Sequence, residues 1–227
     1  MQRRDFLLST VAAAVASALG QRASAGPPSG EVAKVHAIFD AIFERTLVAS
    51  PQGATTLGLD TGCNAALRSR LDDRSMAGRM AALGPIADAL PQLRGVDRAK
   101  LVGRDRTDFD SVAWLSAISH EVASQPIGRV DNYGYPVPYT VSQLTGAYQS
   151  TPDFLASQHP IEDKADAEAF IARLEQFGTE VGFDTARTRE DAARGFIPPD
   201  FIIDKTLKQL RRLRSQPGAK SPMTESL

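Results

Sequence analysis

The chain has 227 residues, of which 42% are hydrophobic, 23% charged and 7% aromatic. These fractions are those of a globular protein and exclude collagen-like, coiled-coil and wholly disordered classes. The 26 basic and 27 acidic residues give a formal net charge of -1, so charge gives no reason to expect binding to nucleic acid or to an anionic membrane.

Residues 1–25 have the three-part pattern of an export signal. A basic start precedes an apolar stretch of roughly 14 residues, which is short of the ~20 that a membrane-spanning helix needs. An A-x-A cleavage site follows. The residues that define the pattern are Arg3, Arg4, Phe6, Ala23 and Ala25.

The pair Arg3-Arg4, followed by a polar residue, Phe6 and Leu7, is typical of the twin-arginine export route. A general secretory signal that carries two arginines is the alternative. Because no cysteine stands at the cleavage site, we expect neither a lipid anchor nor any stable membrane anchor. We therefore predict a periplasmic or secreted protein, cut near Ala25, that meets the twin-arginine export machinery already folded.

Helical periodicity begins after a helix-breaking linker at residues 26–30. Apolar residues recur every three or four positions over 31–47 and over 76–93, which predicts two amphipathic helices. Pro85 predicts a break or a kink in the second of them, near Gly84. Residues 51–62 are rich in Gly and Thr and are expected to form a loop.

Two further helices are predicted in the middle of the chain. One covers 97–124, with Asp97 as a candidate N-cap. The other runs from Ser150 to Pro160 and has Pro152 at its first helical position, where the missing N–H costs nothing.

Asp163 is a candidate cap for a long helix, and the last helix starts at Phe201. The long helix is expected to bury Phe170, Leu174, Phe177 and Val181. Period-two alternation is lacking except for a possible short strand near 137–141. The polar tail, 215–227, is expected to be disordered. The fold class is thus mainly α, an irregular multi-helix assembly with long loops over 31–214.

The motifs of common hydrolases are incomplete. His120-Glu121 begins an H-E-x-x-H zinc motif, but position 124 is Ser, so we expect no metal ligand there. Cys63 is the single cysteine, which excludes an internal disulfide and a thiolate metal cluster. No G-x-S-x-G elbow or phosphate-binding glycine loop is present. We therefore predict no catalytic residue and no cofactor in this chain.

All four tyrosines fall within one Pro- and Gly-containing segment, at Tyr133, Tyr135, Tyr139 and Tyr148. Each offers an apolar face and a phenol that can hydrogen-bond a ligand. Packing of this loop onto the helices is the alternative to ligand binding.

Four segments resemble the bacterial family catalogued as domain of unknown function 885. They are 54–60 (ATTLGLD), 67–75, 137–161 (VPYTVSQLTGAYQSTPDFLASQHPI) and 194–204 (RGFIPPDFIID). The resemblance implies an exported, mostly helical protein that is similar to zinc metallopeptidases with a long internal groove. In that family a C-terminal H-E-x-x-P-G-H helix supplies the zinc ligands and the catalytic Glu.

That motif is not found in this sequence, so the resemblance implies zinc only for a complete family protein. The chain would then be the N-terminal portion of a larger metallopeptidase-like fold, not catalytic alone, that pairs with a missing C-terminal half or with itself. Residues 139–159 would line or support the groove. The candidate groove or ligand contacts are Tyr133, Tyr135, Tyr139, Gln143, Tyr148 and His159. A free-standing periplasmic module that binds a peptide or small ligand through this segment is the alternative.

Overall fold

Helices make up most of the computed structural model, which describes residues 30–124, 129–130, 136–218, 221 and 223–224. Within those residues the α-helices are α1 (Gly30–Ala49), α2 (Pro51–Thr56), α3 (Met76–Ala87), α4 (Leu90–Arg94), α5 (Gly103–Ala123), α6 (Ala147–Ser157), α7 (Lys164–Ala193) and α8 (Asp200–Ser215). The mainly α fold class is confirmed. The predicted signal peptide and most of the linker lie outside the described residues, as does part of the predicted tail.

Short elements complete the described chain. Two 3-10 helices cover Gly62–Ser69 and Arg98–Lys100. Strands β1 (Arg129–Val130) and β2 (Pro136–Val137) form an antiparallel pair, with Arg129 opposite Val137. Among the described residues, no helix is both long enough and apolar enough to cross a bilayer.

The chain divides into two compact units, each with its own apolar core. The first unit contains residues 30–46 and Leu83–Ser124, and the second contains Leu47–Ala82 and the described residues from 129 onward. The first core consists of Val35, Ile38, Ala89, Leu93, Leu101 and Phe109. The second consists of Leu71, Phe154, Leu155 and Phe170, with Ile161, Leu174 and Phe177 packed against it.

Two helix starts agree with the sequence. Helix α1 covers the predicted 31–47 with two more residues at its C-terminal end, and its periodic residues Val35 and Ile38 are buried. Helix α7 begins where Asp163 predicts, since the Asp163 side chain accepts a hydrogen bond from the Asp166 N–H. Of the predicted α7 stripe, Phe170 is fully buried.

The predicted loop at 51–62 is wrong for its first six residues, which form α2, whereas 57–61 are turn and irregular backbone. Pro51 occupies the first turn, where a proline loses no hydrogen bond. The Ser50 hydroxyl accepts from the Gly53 N–H, and the Asp72 carboxylate accepts from the Gln52 N–H at 2.9 Å. These two acceptors satisfy N–H groups that a helix start otherwise leaves open.

Of the predicted break or kink near Gly84, the break is wrong. Helix α3 continues through Pro85 and ends at Ala87. Leu83 and Ala87 on either side of the proline are both 4% exposed, so burial offsets the hydrogen bond that the proline removes. The interruption falls two residues later, before α4.

The predicted 97–124 helix divides in two. Asp97 does act as a cap, but of the 3-10 helix, where its side chain accepts from the Ala99 N–H. An extended Val102 then leads into α5, which starts at Gly103 with φ of 54°. A left-handed glycine prevents one continuous right-handed helix here.

Helix α6 begins at Ala147, earlier than the predicted Ser150, and ends at Ser157 before Pro160. Gly146 precedes it with φ of 119°, and a Cβ there would lie 3.0 Å from the Tyr148 ring. The first N–H of the helix is satisfied by a carboxylate of α7, described below. A cap that comes from a distant helix leaves no local pattern in the sequence.

Candidate functional site

A buried polar cluster lies in the second unit, between α7, α2 and the 3-10 helix Gly62–Ser69. At its centre is Arg173, a residue of α7 whose exposure is 0%. Its position follows from helix geometry: Arg173 lies three residues after Phe170 and four before Phe177, on the buried face of α7. The apolar stripe that anchors the helix therefore carries a guanidinium into the interior.

The Arg173 guanidinium donates hydrogen bonds to several chain segments. Its Nε donates to the Arg70 carbonyl at 2.9 Å. Its Nη2 donates to the Thr55 hydroxyl at 2.6 Å and to the Leu67 carbonyl at 3.1 Å. The Phe154 ring lies against its flat face, 4.9 Å from ring centre to guanidinium carbon. One side chain thus ties α2 and the 3-10 helix to α7.

The contact between Arg173 and His159 fixes the protonation state of His159. Arg173 Nη1 lies 2.6 Å from His159 Nδ1. Since a guanidinium can only donate, Nδ1 accepts and carries no proton. The ring proton is therefore on Nε2, which donates to the Asp166 carbonyl at 3.1 Å. His159 is a neutral imidazole with both nitrogens engaged.

Electrostatics agree with a neutral His159. Burial is the largest effect and lowers the pKa of the imidazole; the hydrogen bond to the Asp166 carbonyl opposes it, and the positive charges of Arg173 and Arg68 lower the pKa further. Burial also lowers the pKa of Arg173 to about 10, which leaves the guanidinium charged at neutral pH. The cluster therefore holds a cation against a neutral base.

Two carboxylates balance the cations of the cluster. Asp60, 2% exposed, accepts from the Thr55 hydroxyl at 2.7 Å, so Thr55 links it to Arg173. Arg68 lies between the two acids, with Nη1 at 3.4 Å from Asp60 and Nε at 2.7 Å from Asp166. The backbone N–H of Glu162 is the main cause that holds the pKa of Asp166 below its ordinary value. Each buried carboxylate thus has a cation and a further hydrogen-bond donor beside it, as burial of a charge requires.

A second buried cluster joins α7 to α6. The Asp184 carboxylate accepts from the Ala147 N–H at 2.6 Å and from Arg74 Nε at 3.0 Å. One turn earlier, Glu180 accepts from the Arg74 backbone N–H at 2.8 Å. Burial raises the pKa of both carboxyl groups. This cluster supplies the helix start of α6 with the cap that its own sequence lacks.

The predicted contact residues fall into separate places. Tyr133 and Tyr135 lie outside the described residues. Tyr139 and Gln143 are half-buried. Tyr148 is buried, and its hydroxyl lies 2.7 Å from both the Ser142 carbonyl and Gln209 Oε1. The partners of Tyr148 are thus a turn and α8, whereas His159 joins the Arg173 cluster, and their role as ligand contacts stays a prediction.

The Arg173 cluster was not predicted from the sequence. One signal could have found it: a charged residue within the Phe170–Leu174–Phe177 stripe has to be paired when that stripe is buried. The partners Thr55 and Asp60 carry no comparable signal, because they lie more than a hundred residues away in the chain.

The histidines of the described chain do not fit a zinc site. Both nitrogens of His159 are used, and His36 Nε2 lies 2.9 Å from Asp105 on a neighbouring helix. His120 is exposed near the end of α5. Within the described ranges, no three His, Cys, Asp or Glu side chains lie close enough together to hold a metal ion.

Two surface depressions lie among the described residues, apart from the Arg173 cluster. An open groove of about 410 Å³ in the first unit is lined by Lys34, Ala37, Ile38, Pro91, Gln92 and Gly95, none of which is an acid or a histidine. A crevice of about 10 Å³ in the second unit lies beside Tyr139, Thr140 and Asp191. It has room for about one water molecule.

Residues 51–227 match the family described as bacterial protein of unknown function, DUF885. The chain belongs to this family. No curated protein matches it.

The structure is similar to a solved one, the crystal structure of the putative lipoprotein from Colwellia psychrerythraea, with a TM-score of 0.69 and 19% sequence identity. The similarity covers 84% of this chain and 33% of that chain. This DUF885 chain therefore spans about a third of the length of this relative. At this identity the likeness establishes the fold.

Proposed function

We propose that this DUF885 chain is a helical scaffold within a larger exported protein of zinc-metallopeptidase type, and that residues outside those described supply the catalysis. The observation that carries the proposal is the coverage: 84% of this chain matches 33% of a longer helical structure. The description of that relative as a lipoprotein is in keeping with export.

The buried clusters support a scaffold role. His159, Arg173 and Asp60 carry the groups of the Arg173 cluster that could act in acid–base chemistry, yet each is buried and engaged by neighbours. Catalytic acids and bases need a free proton or lone pair that points to substrate. The same contacts hold His159, the last residue of the 139–159 segment, so the clusters would fix the segment that the family resemblance assigns to a groove.

Zinc binding and hydrolysis test this function. The mature chain is purified, dialysed, and assayed for bound zinc by elemental analysis and for cleavage of a mixture of fluorogenic peptides. We expect neither zinc nor turnover. Stoichiometric zinc with chelator-sensitive cleavage, abolished by His120→Ala or Glu121→Ala, would contradict the proposal. Sequencing the locus downstream should reveal a reading frame with H-E-x-x-P-G-H, whose product, on co-expression, should restore zinc binding.

Export is a separate proposal with its own test. Replacing Arg3 and Arg4 together by Lys should abolish recovery of the protein from the periplasm, because the twin-arginine route requires the pair. Arg22→Lys is the matched control and should leave export unchanged. Undiminished export of the double variant would assign the signal to the general secretory route.

Peptide binding by the tyrosine segment is a second candidate, favoured by one observation. Gln143 Oε1 is buried and has no hydrogen-bond partner within the described part of the chain. A peptide N–H would satisfy this acceptor, whose burial alone is costly. Calorimetric titration with blocked trialanine should give saturable binding that Gln143→Leu weakens about tenfold. A lack of saturable binding would remove this candidate.

A further inference from the structure

Helix α8 presents an apolar residue to solvent, with acidic residues before it along the helix and basic residues after it. Leu207 lies near the middle of the helix and is 39% exposed. Residues three, four and seven positions away share its side of a helix. We call this surface the α8 patch; it consists of Asp200, Ile203, Asp204, Leu207, Leu210, Arg211 and Arg214.

The other side of α8 already has partners within the second unit. All of α8 is described, and Thr206 is its one buried residue. Gln209 Oε1 lies 2.7 Å from the Tyr148 hydroxyl. At about 100° per residue, Thr206 and Gln209 point roughly 100° and 160° away from Leu207. The helix is therefore held on one side, and its apolar stripe extends beyond what that side covers.

The charges of the α8 patch are separated along the helix. Asp200 and Asp204 lie before Leu207, and Arg211 and Arg214 lie after it. All four are exposed, and within the described chain none of them forms an ion pair. The arrangement is self-complementary: an identical helix placed antiparallel about Leu207 would bring Asp200 opposite Arg214 and Asp204 beside Arg211.

We propose that the α8 patch is a homodimer contact, in which it pairs antiparallel with the same patch of a second copy. Such a contact has two-fold symmetry, so each acid–base pair occurs twice. An anionic membrane surface fits less well, because it would repel the two acids of the patch. This inference goes beyond the proposed function and does not depend on it.

The size of the patch sets the expected strength. A 16-residue helix is about 24 Å long, and one helix pair buries less area than a stable dimer interface. We therefore expect a reversible dimer whose population rises with protein concentration. Added salt should weaken it, since the four pairs are exposed.

Charge reversal with rescue tests the geometry. Sedimentation velocity compares the mature chain with an acid-reversed variant, Asp200→Lys with Asp204→Lys, and a base-reversed variant, Arg211→Glu with Arg214→Glu. Each variant alone should have a dimer dissociation constant about tenfold higher than that of the unaltered chain, because like charges then face each other. An equimolar mixture should regain a dimer, because the reversed ends are complementary.

A matched control lies on the same helix. Lys208→Glu with Arg212→Glu changes the net charge as much as the base-reversed variant, but both residues point about 100° or more away from Leu207. This control should dimerise like the unaltered chain. Far-UV circular dichroism and thermal melting verify that every variant is folded.

A cross-link provides a second measurement should a charge variant fail to fold. In a Cys63→Ser background, Leu207→Cys should give a disulfide-linked dimer on mild oxidation, whereas Lys208→Cys should not.

A monomer at all concentrations, equal effects of the control and the reversed variants, or no rescue on mixing would overturn the proposal. Binding of a monomeric chain to phosphatidylglycerol vesicles would assign the patch to a membrane and would also overturn it. None of these results bears on bound zinc or peptide cleavage, so the dimer proposal can fail without the proposed function failing.

Discussion

At the scale of single residues, Arg173 is the side chain whose loss should cost the most. Arg173→Met is expected to lower the free energy of unfolding by about 3–5 kcal/mol, because it leaves the acceptors on His159, Thr55 and the Leu67 carbonyl buried without their donor. Urea denaturation of the mature chain measures the change.

Arg189→Met is the control for Arg173. Arg189 lies on the same helix and is exposed, so its replacement should change stability by no more than about 0.5 kcal/mol. Arg173→Lys should be nearly as harmful as Arg173→Met, since a lysine cannot reproduce the planar fork of donors. Equal stability of the Met variants at 173 and 189 would contradict the assigned role of the cluster.

His159 should make the stability depend on pH. Burial holds the pKa of His159 below its ordinary value of 6.5. A second ring proton would also place an Nδ1–H group against the N–H of Arg173, which is itself a donor. Above about pH 7 both folded and unfolded chains have a neutral ring, and stability is full. As the pH falls through 6.5, the unfolded chain binds the proton and the folded chain does not, so stability decreases by up to about 1.4 kcal/mol per pH unit.

The variant His159→Gln isolates this effect. Its Oε1 can accept from Arg173 and its Nε2 can donate to the Asp166 carbonyl, without titrating. Asp166, with a lowered pKa, and Glu180 and Asp184, with raised ones, titrate in both proteins and cancel in the comparison. As the pH is lowered from 7 to 5, the urea midpoint of the unaltered chain should decrease, and that of the variant should change less. Parallel curves would show that His159 is not the titrating group.

At the scale of helices, Asp184 should control the start of α6. Asp184→Ala removes the acceptor of the Ala147 N–H and the partner of Arg74, and we expect a loss of about 2–4 kcal/mol. Amide exchange at Ala147 should speed up. Thr185→Ala, at an exposed neighbouring position, should leave both quantities close to unchanged. Unchanged exchange at Ala147 in the Asp184 variant would refute its role as a cap.

Caps show which part of a helical fold can be predicted from sequence. Asp163 caps α7 from three residues before its partner, and this local pattern correctly predicts the helix start. Asp184 caps α6 from 37 residues away. Asp184 and Ala147 are too far apart in the chain for a local pattern to contain both. The predicted start of α6, at Ser150, is therefore three residues later than the observed one.

Prolines mark the second limit of the sequence prediction. Pro85 and Pro152 both lie inside helices, although a proline interrupts an isolated helix. Around each proline the neighbours are buried: Leu83 and Ala87 in α3, and Thr151 in α6. Local propensity is overridden here by packing, which depends on residues elsewhere in the chain.

The candidate site follows the same rule. His159 was among the predicted residues because it ends a family-like segment, but its partner Arg173 was not. The hydrogen bonds of Arg173 to Arg70 and Thr55 span 103 and 118 positions of sequence. Periodicity places Arg173 on a buried face and cannot say which segment lies opposite.

At the scale of the whole molecule, a substitution in the core of one unit should destabilise that unit. Leu93→Ala in the first core and Leu155→Ala in the second each remove a side chain that is at most 1% exposed. Each is expected to cost about 2–5 kcal/mol.

Hydrogen exchange followed by mass spectrometry locates the damage. Leu93→Ala should lower protection in peptides from 30–46 and 83–124, and Leu155→Ala in those from 47–82 and 136–218. Exposed Val102→Ala is the control and should leave protection unchanged in both sets. Identical exchange patterns for the two core variants would contradict the division into units.

The long reach of Arg173 has a consequence for biosynthesis. Thr55 leaves the ribosome 118 residues before the guanidinium that it binds. Until then α2 and the following 3-10 helix lack the guanidinium that ties them to α7, and nascent chains halted before position 173 should expose them to proteases. Completion of the second unit must therefore wait until translation has passed α7. A translocon that threads unfolded chains would meet these segments before they are ordered, whereas one that accepts finished proteins would not.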